Sequence, residues 1–242
     1  MVDRMTKYEW MRLLSMPIMP SLYGEVRGLL RTEVPAGSSV LDVGGRKSWY
    51  TVGLPFDVAV SDLPRESSVQ HQLGLGVTDS IASNLKSSRS NVTALVYDDL
   101  TNTNLTPESF DAVVSIEVIE HVDDDVSFVR NIASVLRPGG VAVLTTPNGD
   151  RTPVPVGDHR RHYTRAQLDE LLRSSFEQVS VNYAVPATGA WYAGLRSLNP
   201  KKPLQAARSI SGNMINRVQA HRPLVRYDPT CGAHLIALVR KA

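Results

Sequence analysis

The chain has one cysteine, Cys231. That excludes an intramolecular disulfide and a cysteine-rich zinc site, and it suits a reducing compartment, so a cytoplasmic location is expected. Long apolar runs are also missing, and none approaches the roughly 18 residues that a membrane-spanning helix requires. Residues Met1 to Trp10 carry Asp3, Arg4, Lys7 and Glu9 and no apolar stretch, so a signal peptide is not expected there. Strong charge of either sign is absent, and a net charge of +2 argues against a nucleic-acid partner. There is no internal repeat and no low-complexity tract. What remains is 242 residues, 42% hydrophobic and 21% charged. That composition supports a globular core without staples, and the length fits one domain with decoration.

The order of elements is a strand–helix alternation. Residues 4–15 and 20–33 read as two helices split by Met16-Pro17-Ile18-Met19-Pro20, with Leu22, Val26, Leu29 and Leu30 at helical spacing. Ser39 to Val43 is a short apolar strand running into Gly44-Gly45-Arg46, the first strand and loop of a nucleotide-binding βαβ unit. A second strand, Phe56 to Asp62, ends on an acid 18 residues after Gly44, near the spacing at which such folds set a carboxylate on a ribose. Val92 to Tyr97 is a third strand and ends on Asp98-Asp99. Thr106-Pro107-Glu108 reads as a cap and first helical turn. A fourth strand, 111–116, leads into a helix from Asp123 to Leu136 that stops at Arg137-Pro138-Gly139-Gly140. Val141 to Thr146 is a fifth strand, and a polar loop follows from Asp150 to Tyr163. Thr164 and Gln167 have capping-box spacing for a helix through Arg173. Val179 to Val185 and Ala233 to Val239 are the last strands, and the final one is a candidate antiparallel partner of the sixth. Leu204 to Val218 has helical character.

Between the fourth strand and its helix lies Ser115-Ile116-Glu117-Val118-Ile119-Glu120-His121-Val122. On a helical turn Glu117, Glu120 and His121 share one face. Two carboxylates and an imidazole at the C-terminal end of a central strand stand where an open α/β sheet does its chemistry.

The ordered set Val40-Leu41-Asp42-Val43-Gly44-Gly45, Asp62, Asp98-Asp99, Phe110-Asp111 and Leu136-Arg137-Pro138-Gly139-Gly140 resembles the class I S-adenosylmethionine-dependent methyltransferases, from Ser39 to Gln178 plus the last strand. The resemblance implies a Rossmann-like α/β fold: a mostly parallel seven-stranded sheet, an antiparallel final strand and helices on both faces. It implies S-adenosylmethionine bound by Asp42, Gly44, Gly45, Arg46, Asp62, Leu63, Asp98, Asp99, Leu100 and Ile116. Asp62 would accept the ribose hydroxyls, and Asp98 or Asp99 the adenine amino group. The glycine loop departs from the family pattern, because Arg46 and Ser48 stand where the second and third glycines belong. Arg46 is a candidate for the cofactor carboxylate, and Ser48 to Pro55 is a poor helix.

Glu117-Val118-Ile119-Glu120-His121 is similar to the cation-holding segment of small-RNA 2′-O-methyltransferases and ubiquinone-pathway O-methyltransferases. In the RNA enzymes a further histidine precedes a Thr-Arg pair, and here His159 matches it best with His162 in reserve. That resemblance implies Mg²⁺ (or Mn²⁺ or Fe²⁺) on Glu117, Glu120, His121 and His159, with His121 and His159 as catalytic candidates. The alternative is a metal-free floor in which Glu120 caps a turn or pairs with Arg137.

Residues 186–228 carry Arg196, Lys201, Lys202, Arg208, Arg217, Arg222 and Arg226 against one acid, Asp228, with Trp191 and Tyr192 at the start. They read as a basic insertion or acceptor lid, for an anionic acceptor, a glycolipid or a peripheral membrane contact. The rival reading is a solvated helix pair on the sheet edge. An interfacial helix is disfavoured by Asn199-Pro200 and Pro203. The expected organisation is an N-terminal helical segment (1–36), a methyltransferase core (37–185 and 229–242) and the insertion. The expected activity is O-methylation of a small-molecule or saccharide hydroxyl, with divalent-metal assistance open. RNA 2′-O-methylation and non-catalytic cofactor binding are the rivals, and the oligomeric state is open.

Overall fold

The computed structural model of the chain describes residues 5–64, 76–155, 157–186, 203–219 and 232–242. Seven strands form one sheet: β1 (Ser39–Val43), β2 (Asp57–Asp62), β3 (Val92–Tyr97), β4 (Phe110–Ile116), β5 (Leu136–Pro147), β6 (Gln178–Pro186) and β7 (Gly232–Arg240), in the order β3-β2-β1-β4-β5-β7-β6. The strands from β3 to β5 pair in parallel, and β7 lies antiparallel between β5 and β6. The expected sheet, including its reversed final strand, is therefore present. Chain order reverses between β1 and β4, which opens a crevice at their C-terminal ends.

The helices are α1 (Lys7–Ser15), α2 (Ser21–Glu33), α3 (Asp79–Ser88), α4 (Asp125–Val135), α5 (Arg165–Arg173) and α6 (Pro203–Gln219). Leu22, Val26 and Leu30 of α2 and Leu85 of α3 pack with Val40, Val58 and Val114 on one face of the sheet. Phe128, Val129 and Ile132 of α4 and Leu168 and Leu172 of α5 cover the other with Leu41, Val113 and Leu144. This two-faced burial explains why the central strands read as continuous apolar runs. The capping box at Thr164 and Gln167 forms as expected.

Three expectations are corrected. Thr106-Pro107-Glu108 makes a turn and no helix, because Glu108 adopts φ +53° and its N–H bonds to Ser134 at the end of α4. The helix before β5 ends at Val135, and Leu136 to Gly140 already belong to the strand. Residues 117–121 are not one α-helical turn: Glu117 has φ +55° and Ile119–His121 form a 3-10 turn.

No helix follows the glycine loop. Instead a short 3-10 turn, Gly45–Lys47, runs into an irregular buried segment. Its carbonyls are satisfied by side chains: Arg27 donates to Val52 (2.6 Å), and Asn91 donates to Thr51 (2.7 Å). Buried backbone polar groups need such partners when no ladder supplies them. Trp191, Tyr192, Cys231 and most basic residues of the insertion lie outside the described residues; Arg208 and Arg217 fall on α6. Among the described residues no helix is long and apolar enough to cross a membrane.

Candidate active site

The crevice begins at Gly44, whose φ of +69° suits glycine and whose N–H bonds to Ser61 at 2.7 Å. A Cβ there would stand 3.0 Å from Val118, so the loop approaches the turn after β4 closely. At Gly45 an added Cβ would overlap the Asp42 carboxyl group.

The expected cofactor residues divide. Asp42 is fully buried and accepts from Tyr50 Oη (2.9 Å) and Thr51 Oγ1 (2.8 Å), while Arg89 anchors Ser48 and Thr51. Burial raises its pKa against the pull of Arg89 and these hydroxyls. Asp42 thus braces the loop from behind. Arg46 turns toward the second strand. It donates to the Gly76 carbonyl (2.6 Å), and its Nε stands 3.8 Å from Asp62, so it faces the second-strand acid. Asp62 Oδ1 accepts from the N–H of Leu63, which is itself exposed. Asp98 spends both oxygens on Thr103 and Asn104, whereas Asp99 uses Oδ1 alone, on Thr101. Leu100 and Ile116 are buried. Gly44 bonds Ser61, next to Asp62 on β2, and among the described residues Asp99 leaves Oδ2 without a hydrogen bond where Asp98 does not.

The polar floor is organised around Glu120. Its side chain is fully buried, and among the described residues neither carboxylate oxygen has a hydrogen-bond partner. The Thr146 hydroxyl is close enough to moderate the Glu120 carboxyl group, though it makes no hydrogen bond of ordinary geometry among the described residues. Burial, then the charge of Glu117, pushes the Glu120 pKa well above the usual carboxylate range. An orphaned buried carboxylate is costly unless something cationic or protic meets it. One ligand atom each from Glu120, His121 and His159 lies within 4.8 Å of the others. That donor set fits a divalent cation, with one hard oxygen and two imidazoles. The pairing of Glu120 with Arg137 does not form, because Arg137 bonds Asp111 at 2.6 Å.

Glu117 is drawn aside. Its Oε1 accepts from Thr145 Oγ1 (2.9 Å), and Nδ1 of His234 lies 3.0 Å from Oε2, within ion-pair reach though off the line of a hydrogen bond. Glu117 therefore stands outside the three-residue cluster. Burial, then the Glu117 charge, pushes the Tyr23 pKa up to about 12. His234 escaped sequence reading. The available signal was a histidine within the apolar strand Ala233 to Val239, and β7 carries it opposite Pro147.

The loop after β5 is clamped to the turn. The N–H of Arg160 donates to the Glu120 carbonyl (2.7 Å), and Arg161 and Tyr163 both donate to Asp125. His121 and His159 meet edge to face with centroids 4.8 Å apart. His121 Nδ1 faces Asp158 Oδ2 at 3.3 Å. His162 is no bystander: its Nδ1 lies 2.6 Å from the Thr152 carbonyl and its Nε2 2.7 Å from His159 Nδ1. A carbonyl only accepts, so neutral His162 carries its proton on Nδ1 and accepts at Nε2. His159 must then carry its proton on Nδ1, which leaves Nε2 bare, the nitrogen able to ligate a cation or take a proton. Burial, then His121 and His162, lowers the His159 pKa and so favours the neutral ring.

Residues 73–144 match the model of the methyltransferase domain. A probable S-adenosylmethionine-dependent methyltransferase of Mycolicibacterium smegmatis is 39% identical over 85 residues, 33% of this chain and 33% of that protein. The ubiquinone biosynthesis O-methyltransferase of Xanthomonas campestris is 51% identical over 47 residues, 19% of each chain. That of Aeromonas salmonicida is 34% identical over 95 residues, 31% of this chain and 39% of the relative. In each relative the match spans well under half of the protein. Among solved structures, phosphoethanolamine N-methyltransferase 2 of Haemonchus contortus, with S-adenosylhomocysteine bound, superposes with a TM-score of 0.59 at 16% identity, over 92% of this chain and 53% of that one. The cyclase SpnF superposes with a TM-score of 0.56 at 16% identity, over 90% and 80%. The fold is thus that of the class I S-adenosylmethionine-dependent methyltransferases, and the segment that matches their domain spans β3, β4 and most of β5.

Proposed function

We propose that the chain is an S-adenosylmethionine-dependent O-methyltransferase for a hydroxyl of a small molecule or saccharide, assisted by a divalent cation at Glu120, His121 and His159. The observation that carries this reading is the buried, unbonded Glu120 carboxylate clustered with two imidazoles beside the Gly44 loop. The partial matches to ubiquinone biosynthesis O-methyltransferases support oxygen as the nucleophile.

S-adenosylmethionine supplies an electrophilic methyl group when bound. A divalent cation, when bound, supplies the positive charge that makes an acceptor hydroxyl more acidic. The remaining work belongs to the chain. Gly44 leaves room for the donor, and Asp62 and Asp99 orient its nucleoside. Glu120 would give up its proton and carry negative charge only against a bound cation, and His121 is steadied by Asp158. His159 Nε2, kept bare by the hydrogen bond of its Nδ1 to His162, would be the nitrogen offered to the cation, and the acidified hydroxyl would lose its proton to solvent as the methyl–oxygen bond forms and the methyl–sulfur bond breaks.

Calorimetric titration with S-adenosylmethionine tests the first half, and absence of binding by folded protein would sink it. Transfer of labelled methyl to hydroxyl acceptors, with and without chelator, tests the second. Activity untouched by chelator and by Glu120→Gln removes the cation from the reading. Preferential labelling of RNA in the same assay replaces the small acceptor with a nucleic acid. Cofactor binding without transfer to any acceptor supports the non-catalytic rival.

A further inference from the structure

Two neighbouring helices are amphipathic the wrong way round. On α1 the exposed stripe is Lys7, Trp10, Met11 and Leu14, at i, i+3, i+4 and i+7, with Leu14 77% exposed. Leu13 turns inward near Gly53, but the one fully buried side chain of the helix is polar. Glu9 is fully buried and accepts from the N–H and hydroxyl of Ser90 (3.0 Å each), and Arg12 lies 3.4 Å over the ring of Trp49. On α6 the exposed stripe holds Leu204 (88%), Ala207, Arg208, Ser211, Met214 and Val218 (67%). Its buried side is Ser209, Asn213 and Asn216. The helices meet through the turn Met16–Ile18, where Asn213 donates to Ile18 (3.0 Å) and Arg217 to Met16 (2.8 Å). An open cleft of about 540 Å³, walled by Trp10, Met11, Leu14 and Ile18, runs along α1 to that turn. A surface helix ordinarily turns its apolar stripe to the core. Here hydrogen bonds hold the inward faces, and large apolar side chains are left in water.

We propose that this α1–α6 face docks on an anionic lipid surface. Charge selects that occupant. Neither exposed stripe carries an acid: the sole acid of α1 is the buried Glu9, and α6 has none. Lys7 sits at the rim. Arg208 lies on the exposed stripe of α6. Exposed Trp, Met and Leu among cations suit the boundary of acidic headgroups and acyl chains. A second copy suits the face less, because a two-fold contact would set like charges together with no acid to receive them. This inference differs from the basic-insertion reading in placing the apolar contact on α1 and α6 themselves, and it does not depend on methyl transfer.

Sedimentation of the full chain with phosphatidylcholine vesicles, with and without phosphatidylglycerol, tests it. The expected result is partition onto the phosphatidylglycerol vesicles that weakens as salt is raised. Leu14→Glu and Val218→Glu should each lower the bound-to-free ratio about tenfold, and Lys7→Glu about fivefold. Melting curves check that the variants, all at exposed positions, remain folded. No partition onto either vesicle overturns the proposal, as does partition that Leu14→Glu and Val218→Glu leave unchanged. A concentration-dependent dimer, dissolved by Leu14→Glu while vesicles are ignored, overturns it in favour of a second copy.

Discussion

His162 Nε2 lies 2.7 Å from His159 Nδ1, and the Thr152 carbonyl lies 2.6 Å behind it. The contact sets which nitrogen of His159 carries a proton. If His159 ligates a cation through Nε2, removal of its support weakens the site without touching a ligand. His162→Ala is expected to weaken Mn²⁺ binding by about 10- to 100-fold and to leave S-adenosylmethionine affinity unchanged. Calorimetry of each ligand separately reads both.

Glu120 titrates differently folded and unfolded. Burial and Glu117 raise its folded pKa, so the metal-free fold keeps a proton that the unfolded chain releases. Its contribution to stability is whole below the ordinary carboxylate range and is lost as pH rises from there toward the raised folded value. Glu120→Gln removes that loss. With chelator present, the variant should melt higher than the parent at mildly alkaline pH, by about 2–4 °C per kcal/mol recovered, and like the parent at acid pH. Added Mn²⁺ should raise the parent's melting point and leave the variant's unchanged.

The two glycines of the loop should fail in different ways. Gly45→Ala drives a methyl into the buried Asp42 carboxyl group and should cost about 1–3 kcal/mol of stability. Gly44→Ala strains a backbone at φ +69° by about 1–2 kcal/mol and crowds Val118 on the cofactor side. Its larger expected effect is on S-adenosylmethionine binding. Denaturant melts with parallel titrations separate the two.

Asp111 joins the N–H of Ser39 (2.8 Å) and Arg137 (2.6 Å), tying β4 to the starts of β1 and β5. Burial raises its pKa, but the bonds from Arg137 and Ser39 outweigh that and hold it below the usual carboxylate range. Its contribution is present above the unfolded pKa and is lost as pH falls through the lowered folded value. Asp111→Asn should lower stability at neutral pH by about 1 kcal/mol or less, given screening of a partly exposed pair. The difference should vanish in acid, and melts across pH check the trend.

The strand alternation, the Gly44 turn and the acids closing β2 and β3 were legible because they rest on local constraints: two-sided burial, a left-handed backbone position, and the end of an apolar run. The 120–121 cluster with His159 was legible only by resemblance. Which carboxylate belongs to it was not, because Glu117 and Glu120 read alike in one dimension. Their fates part through the positive φ at Glu117 and through Thr145 and His234, carried by strands distant in sequence. The orientation of Arg46 toward Asp62 and the stacking of His162 behind His159 were likewise decided by loop paths that spacing does not encode. So too was the outward turn of Trp10 and Leu14, since the inward face of α1 is chosen by Glu9 bonding Ser90 across the fold. The sequence by itself determined the sheet and where its crevice opens, since patterning and turn chemistry are local. Tertiary structure decided which side chains face one another across that crevice, since a side chain's direction depends on the path of the whole backbone around it.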